Sequence, residues 1–123
     1  MQEELERFFD DYLNSWTKGP DAIAQCYSEP CLTARNGVLR VNPSRSHTAS
    51  LFANVDRQYR SRGYTQGERL SLDWRSLGAN CTLATIRWAY QSTSGETLWE
   101  TTFSYNLIKQ NGDWKIYVQT MHD

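Results

Sequence analysis

The chain has 123 residues, with 13 Lys and Arg against 14 Asp and Glu, a net charge of -1 and a pI near 6.1. That length suits one domain over residues 1–123, and the balanced charge lacks the basic bias expected of a nucleic-acid or membrane-surface binder. No stretch approaches the ~20 apolar residues of a membrane span, and five Trp, seven Tyr and four Phe are many for this size.

Helix one is marked by Leu5, Phe8, Phe9, Tyr12, Leu13 and Trp16, which recur at helical spacing between acids and amides. Gly19-Pro20 ends it and opens a short second helix, with Ala22, Ile23, Cys26 and Tyr27 on its apolar side and Pro30 as its close. Leu32 and Ala34, then Asn36-Gly37, then Leu39 and Val41 read as a hairpin. Asn42 and Pro43 are placed to start a third helix, with Leu51, Phe52, Val55 and Tyr59 inward and Gly63 at its end. Arg57, Arg60 and Arg62 read as its solvated face. Strands follow around Leu70, Leu72 and Trp74, then Cys81–Gln91, Leu98–Lys109 and Trp114–Met121.

The turns suggest a register. Asn111-Gly112 as a two-residue turn sets Leu107 against Ile116 and Tyr105 against Val118. A four-residue loop at Ser92–Gly95 sets Trp88 against Trp99, Ile86 against Thr101 and Arg87 against Glu100, which matches rings on one face and charges on the other. One face then carries Ile86, Trp88, Tyr90, Trp99, Phe103, Tyr105, Leu107, Trp114, Ile116 and Val118 and is assigned to the core. The other, with Thr85, Arg87, Glu100, Thr102, Ser104, Asn106, Tyr117 and Gln119, suits either water or a second sheet. Helices first and strands second indicate an α+β class.

This order of elements resembles the nuclear-transport-factor-2-like (NTF2-like) superfamily, with its ketosteroid-isomerase-like and SnoaL polyketide-cyclase-like branches. The resemblance spans nearly the whole chain. It is carried by Tyr12-Leu13-Asn14-Ser15-Trp16 through Gly19 and Asp21, by Ala22 to Tyr27, and by Asn111-Gly112-Asp113-Trp114-Lys115-Ile116 as the family's Gly-x-Trp-x-Ile ending. It implies a cone, a strongly curved mixed or antiparallel sheet wrapped around about three N-terminal helices, commonly dimeric through the outer face of the sheet.

Tyr12 is similar to the ketosteroid isomerase tyrosine that donates a hydrogen bond to a developing oxyanion. Alignment through Gln25-Cys26-Tyr27 puts Arg35 or a neighbour where that branch keeps its aspartate base. No acid stands between Cys31 and Val55, so isomerase-type proton abstraction has no agent. Arg35 is instead a hairpin-tip charge or a contact for an anion. Asp73 and Arg75 flank Trp74 and point outward if that ring is buried. His47 falls in the first turn of helix three, and alternation from Trp114 places His122 on the core face. No HxxxH, HExxH, phosphate-loop or dinucleotide pattern is present, so neither a metal nor a cofactor is expected. Cys26, Cys31 and Cys81 lack metal or CxxC spacing, and with an acidic, polar N-terminus they point to a reduced, cytoplasmic protein.

Trp16, Trp88, Tyr90, Trp99, Phe103 and Tyr105, with Thr101 and Thr120 among them, are the expected lining of a small-molecule pocket. The leading expectation is a homodimer, each subunit binding a small apolar or aromatic molecule, with Tyr12, His122 and Arg35 as the groups for any cofactor-free acid-base chemistry. The alternative is an interaction or assembly module acting through the outer face, its rings packed solid.

Overall fold

A computed structural model describes residues 1–123. Helix α1 spans Gln2–Ser15 and buries Leu5, Phe9, Tyr12 and Ser15, one stripe at three- and four-residue spacing. Gly19, at a φ of 118°, turns the chain into α2, Pro20–Ala24, where Pro20 supplies a ready-made first-turn φ. Helix α2 is shorter than its apolar residues suggest. Tyr27 belongs to the sheet, opening β1 (Tyr27–Arg35) opposite Ile116. Pro30 closes no helix; it lies in β1 where the register shifts between Tyr27 and Leu32, a stretch that can spare a ladder N–H. Asn36-Gly37, at φ of 51° and 75°, turns β1 into β2 (Val38–Asn42), as the dipeptide predicts.

Asn42 does not cap the third helix. It ends β2 buried, its amide donating to Cys31 Sγ at 3.8 Å. The cap is Ser44, whose hydroxyl accepts the His47 N–H at 3.4 Å and contacts His47 Nδ1 at 2.7 Å. Helix α3 runs Arg45–Ser61 and turns Thr48, Phe52, Val55 and Tyr59 inward. No helix is long and apolar enough to cross a membrane.

Strands β3 (Gln66–Ser76), β4 (Cys81–Gln91), β5 (Thr97–Gln110) and β6 (Asp113–Met121) complete one unclosed six-stranded sheet of order β2-β1-β6-β5-β4-β3. Only β1 and β6 are parallel; the other pairs are antiparallel. The helices lie against one face in an α+β cone. Ile86, Trp88, Phe103, Tyr105, Leu107, Trp114 and Ile116 bury that face against Leu5, Phe9 and Tyr12.

Two registers differ from the expected ones. Trp88 stands opposite Thr101, Ile86 opposite Phe103 and Arg87 opposite Thr102, while Trp99 is opposite Tyr90. The loop is one residue longer than foreseen, Ser92 N–H reaching Glu96 O at 2.9 Å, and an irregularity separates Tyr90 from Gln91. This pairing stacks Tyr90 on Trp99 at 4.8 Å and 8°, and Arg87 still approaches Glu100 diagonally at 3.6 Å. A two-residue slip preserves every face, so side-chain alternation could not choose between the two registers. Between β5 and β6, Leu107 does face Ile116, but the ladder then shifts, leaving Tyr117 unpaired and Gln119 opposite Tyr105. That bulge exchanges the faces of the last residues: Gln119 goes in, Val118 and Thr120 go out.

Candidate functional site

The open side of the sheet holds a cavity of about 510 Å³, within the ordinary range for small-molecule sites. Helix α1 contributes Tyr12, Leu13 and Trp16, and α3 contributes Leu51, Phe52, Val55 and Tyr59. The sheet contributes Trp88, Tyr90, Phe103, Tyr105 and Gln119. Fifteen of 23 lining residues are apolar or aromatic, so a ligand's body would be held mainly by burial and ring contact. The exposed lining residues define the mouth: Arg35, Asn36, Val38 and Arg40 on the β1–β2 hairpin face Asn54 and Gln58 on α3.

The buried polar groups have a definite order. Gln119 Oε1 can only accept, so the Tyr27 hydroxyl donates to it at 3.3 Å. Having one proton, Tyr27 must then accept at 2.7 Å from Tyr12. Tyr12 therefore shows lone pairs, not a proton, to the cavity. Gln119 is 7 % exposed, and its amide nitrogen makes no hydrogen bond to protein. Tyr105 Oη accepts the Trp88 indole N–H at 2.8 Å, leaving its own proton without a protein acceptor. The deep end thus offers two donors, from Gln119 and Tyr105. Burial pushes the Tyr12, Tyr27 and Tyr105 phenols well above their ordinary pKa, and charge on the neighbouring phenols adds to it, while the hydrogen bond that Tyr27 receives from Tyr12 works the other way. These phenols stay protonated and cannot serve as bases near neutrality.

The residues singled out from sequence divide. Tyr12, Trp16, Arg35, Trp88, Tyr90, Phe103 and Tyr105 line the cavity. Thr101 does not; it holds Tyr90 in place through a 2.8 Å bond between hydroxyls. Trp99 lies beside the cavity as a half-buried shelf, stacked on Tyr90 and covered by the Arg62 guanidinium at 3.9 Å. Thr120 and His122 were expected inside. The Tyr117 bulge reverses the alternation behind that expectation: Thr120 pairs with Ser104 on the outer face, and His122 Nε2 meets Ser104 Oγ there at 2.7 Å. Neither reaches the cavity. Asp73 and Arg75 are exposed on β3 and do not line it.

Arg40, Asn54, Gln58 and Gln119 were missed. Arg40 has a signal, since the alternation of the Asn36-Gly37 hairpin sets it on the same face as Arg35; Gln119 has none, because only the bulge turns it inward. The lining carries no His, Cys, Asp, Glu or Lys, and no cluster of three such metal-ligating side chains occurs in the structure.

Similar solved structures share this fold at low identity. An NTF2-like protein of unknown function from Shewanella oneidensis matches with a TM-score of 0.76 and 16 % identity, over 99 % of this chain and 98 % of its own. A protein of unknown function with a cystatin-like fold from Nostoc punctiforme gives 0.79 and 7 %, over 98 % and 88 %. The yeast UBP3-associated protein BRE5 gives 0.77 and 13 %, over 98 % and 94 %. At these identities the likeness speaks for fold alone. No curated protein matches. The family model described as "NTF2-like protein (DUF6841)" matches residues 2–123, and the chain belongs to that NTF2-like family.

Proposed function

We propose that this protein binds a small, largely aromatic or alicyclic molecule in the cavity between α1, α3 and the sheet. One observation carries the reading: a roughly 510 Å³ space, mostly apolar, whose only titratable lining groups are phenols and guanidiniums. Acid-base catalysis works best with a group titrating near the operating pH, and neither type does so. The composition supports holding a molecule over abstracting a proton from it. A carbonyl or other acceptor on the ligand would meet the Gln119 amide and the Tyr105 hydroxyl at the deep end.

N-phenyl-1-naphthylamine, an uncharged fluorophore, tests this. It should bind saturably, one per chain, and accept energy from Trp16 and Trp88. Leu51→Trp, which pushes an indole into the cavity from α3, should weaken it by about tenfold or more. Non-saturable binding, or binding indifferent to Leu51→Trp, would count against the cavity.

A second reading, association of two copies through the outer face of the sheet, is favoured by one feature. Leu39 and Val41 are 65 % and 61 % exposed on β2. They continue into Ala34, Leu32 and Val118 along cross-strand rows on the outer face. An exposed apolar strip on an edge strand invites pairing. Sedimentation should show a dimer that Leu39→Glu with Val41→Glu converts to monomer; a wild-type monomer at 100 µM or so ends this reading.

A further inference from the structure

Resting on the small-molecule reading of the cavity, we infer that its ligand carries an anionic group, a carboxylate or sulfonate class of head, held at the mouth between Arg35 and Arg40. Both arginines project from the inward face of the β1–β2 hairpin. Arg40 stands opposite Thr33, which in turn pairs with the inward Gln119, and Arg35 lies two residues further along the same strand face. They are therefore diagonal neighbours, a relation that places residues about 7–8 Å apart, within reach of one shared anion for side chains this long.

Neither has a partner in the protein. Every ion pair in the structure uses other cations: Arg45, Arg60, Arg69, Arg87 and Lys109. No side-chain hydrogen bond in the structure involves Arg35 or Arg40, and no carboxylate lines the cavity. The nearest acids along the chain are already engaged. Glu29, the one acid of the hairpin, accepts the Arg45 backbone N–H at 2.7 Å. Asp56, the one acid of α3, is paired with Arg60 at 3.0 Å.

The facing wall has the same polarity. Asn54 turns its carbonyl to Arg57 Nη1 at 2.7 Å, and its NH₂, which makes no hydrogen bond within the protein, remains to donate. A net charge of -1 for the chain makes this local excess of cations and donors more telling. Two like charges held side by side repel each other, and an anion between them removes that repulsion while gaining charge-assisted, planar hydrogen bonds. The rest of the cavity wants an apolar body. The class that satisfies both ends is an amphiphilic aromatic or alicyclic acid whose body enters first.

Two fluorophores that share one ring system separate this inference from the reading beneath it. 8-Anilinonaphthalene-1-sulfonate carries a sulfonate; N-phenyl-1-naphthylamine does not. The wild-type chain should bind the sulfonate at least about tenfold more tightly at low salt, with the advantage shrinking as ionic strength rises. In an R35Q/R40Q double variant, shown to be folded by its unchanged circular dichroism, the two affinities should converge to within about threefold. Equal affinities in the wild type, or an advantage that persists in the double variant, overturn the anionic head while leaving the cavity reading in place. Binding of neither probe overturns both.

Discussion

Tyr27 is the residue on which the interior polar order turns. Its hydroxyl accepts from Tyr12 and donates to Gln119, so one atom serves two buried partners. Tyr27→Phe would strand the Tyr12 proton and the Gln119 oxygen together, each at the cost of a buried unpaired group, about 1–3 kcal/mol. Tyr12→Phe removes a donor but leaves the bond from Tyr27 to Gln119 whole. Thermal melts should therefore rank Tyr27→Phe below Tyr12→Phe, with a drop on the order of 10–20 °C for the former. Drops of similar size would mean that the protons run the other way, since Tyr12→Phe would then strand the Tyr27 proton and Tyr27→Phe a Gln119 N–H, one donor each, with Tyr12 presenting its own proton to the cavity. The sequence pointed to Tyr12 because it falls on the buried stripe of α1. It could not reveal that the Tyr12 proton is committed to Tyr27, 15 residues away.

At the scale of elements, what was readable is what repeats. Period-3.6 stripes found α1 and α3, and the Asn-Gly dipeptides found both tight turns, at Asn36-Gly37 and Asn111-Gly112. Alternation assigned Trp88, Tyr90, Phe103 and Tyr105 to the inward face correctly, even with the β4–β5 register off by two, because a slip of two keeps every side chain on its face. What was not readable is what happens once. The bulge at Tyr117 inserts a single residue, and every later assignment on β6 changes face: Gln119 enters the cavity, and Thr120 and His122 leave it. Local sequence around Tyr117 carries no Gly or Pro to announce it. The ladder fixes it from elsewhere, where parallel pairing with β1 sets Leu32 against Val118 and Thr33 against Gln119. Capping failed for a related reason. Asn42 is a strong cap by type, but tertiary burial beside Cys31 claimed its amide, and Ser44, two residues on, took the role.

The whole molecule is organised around phenols in an apolar interior, and this makes its stability fall on the alkaline side. Burial raises the pKa of Tyr12, Tyr27, Tyr64, Tyr90 and Tyr105 in the folded chain. In the unfolded chain the same phenols titrate near 10. Above that pH the unfolded state has lost protons that the folded state still holds, so the slope of unfolding free energy against pH is negative there. Below it both states are fully protonated and these residues contribute no pH dependence. The melting temperature should therefore lose no stability to these phenols up to about pH 9 and fall steeply beyond about pH 10. Phenolate absorbance near 295 nm should rise in step with loss of the circular dichroism signal, because the buried rings ionise only by becoming exposed. A smooth titration of these five phenols near pH 10 with the fold intact would instead mean that the interior admits water freely, and a cavity that wet would not hold an apolar ligand by burial.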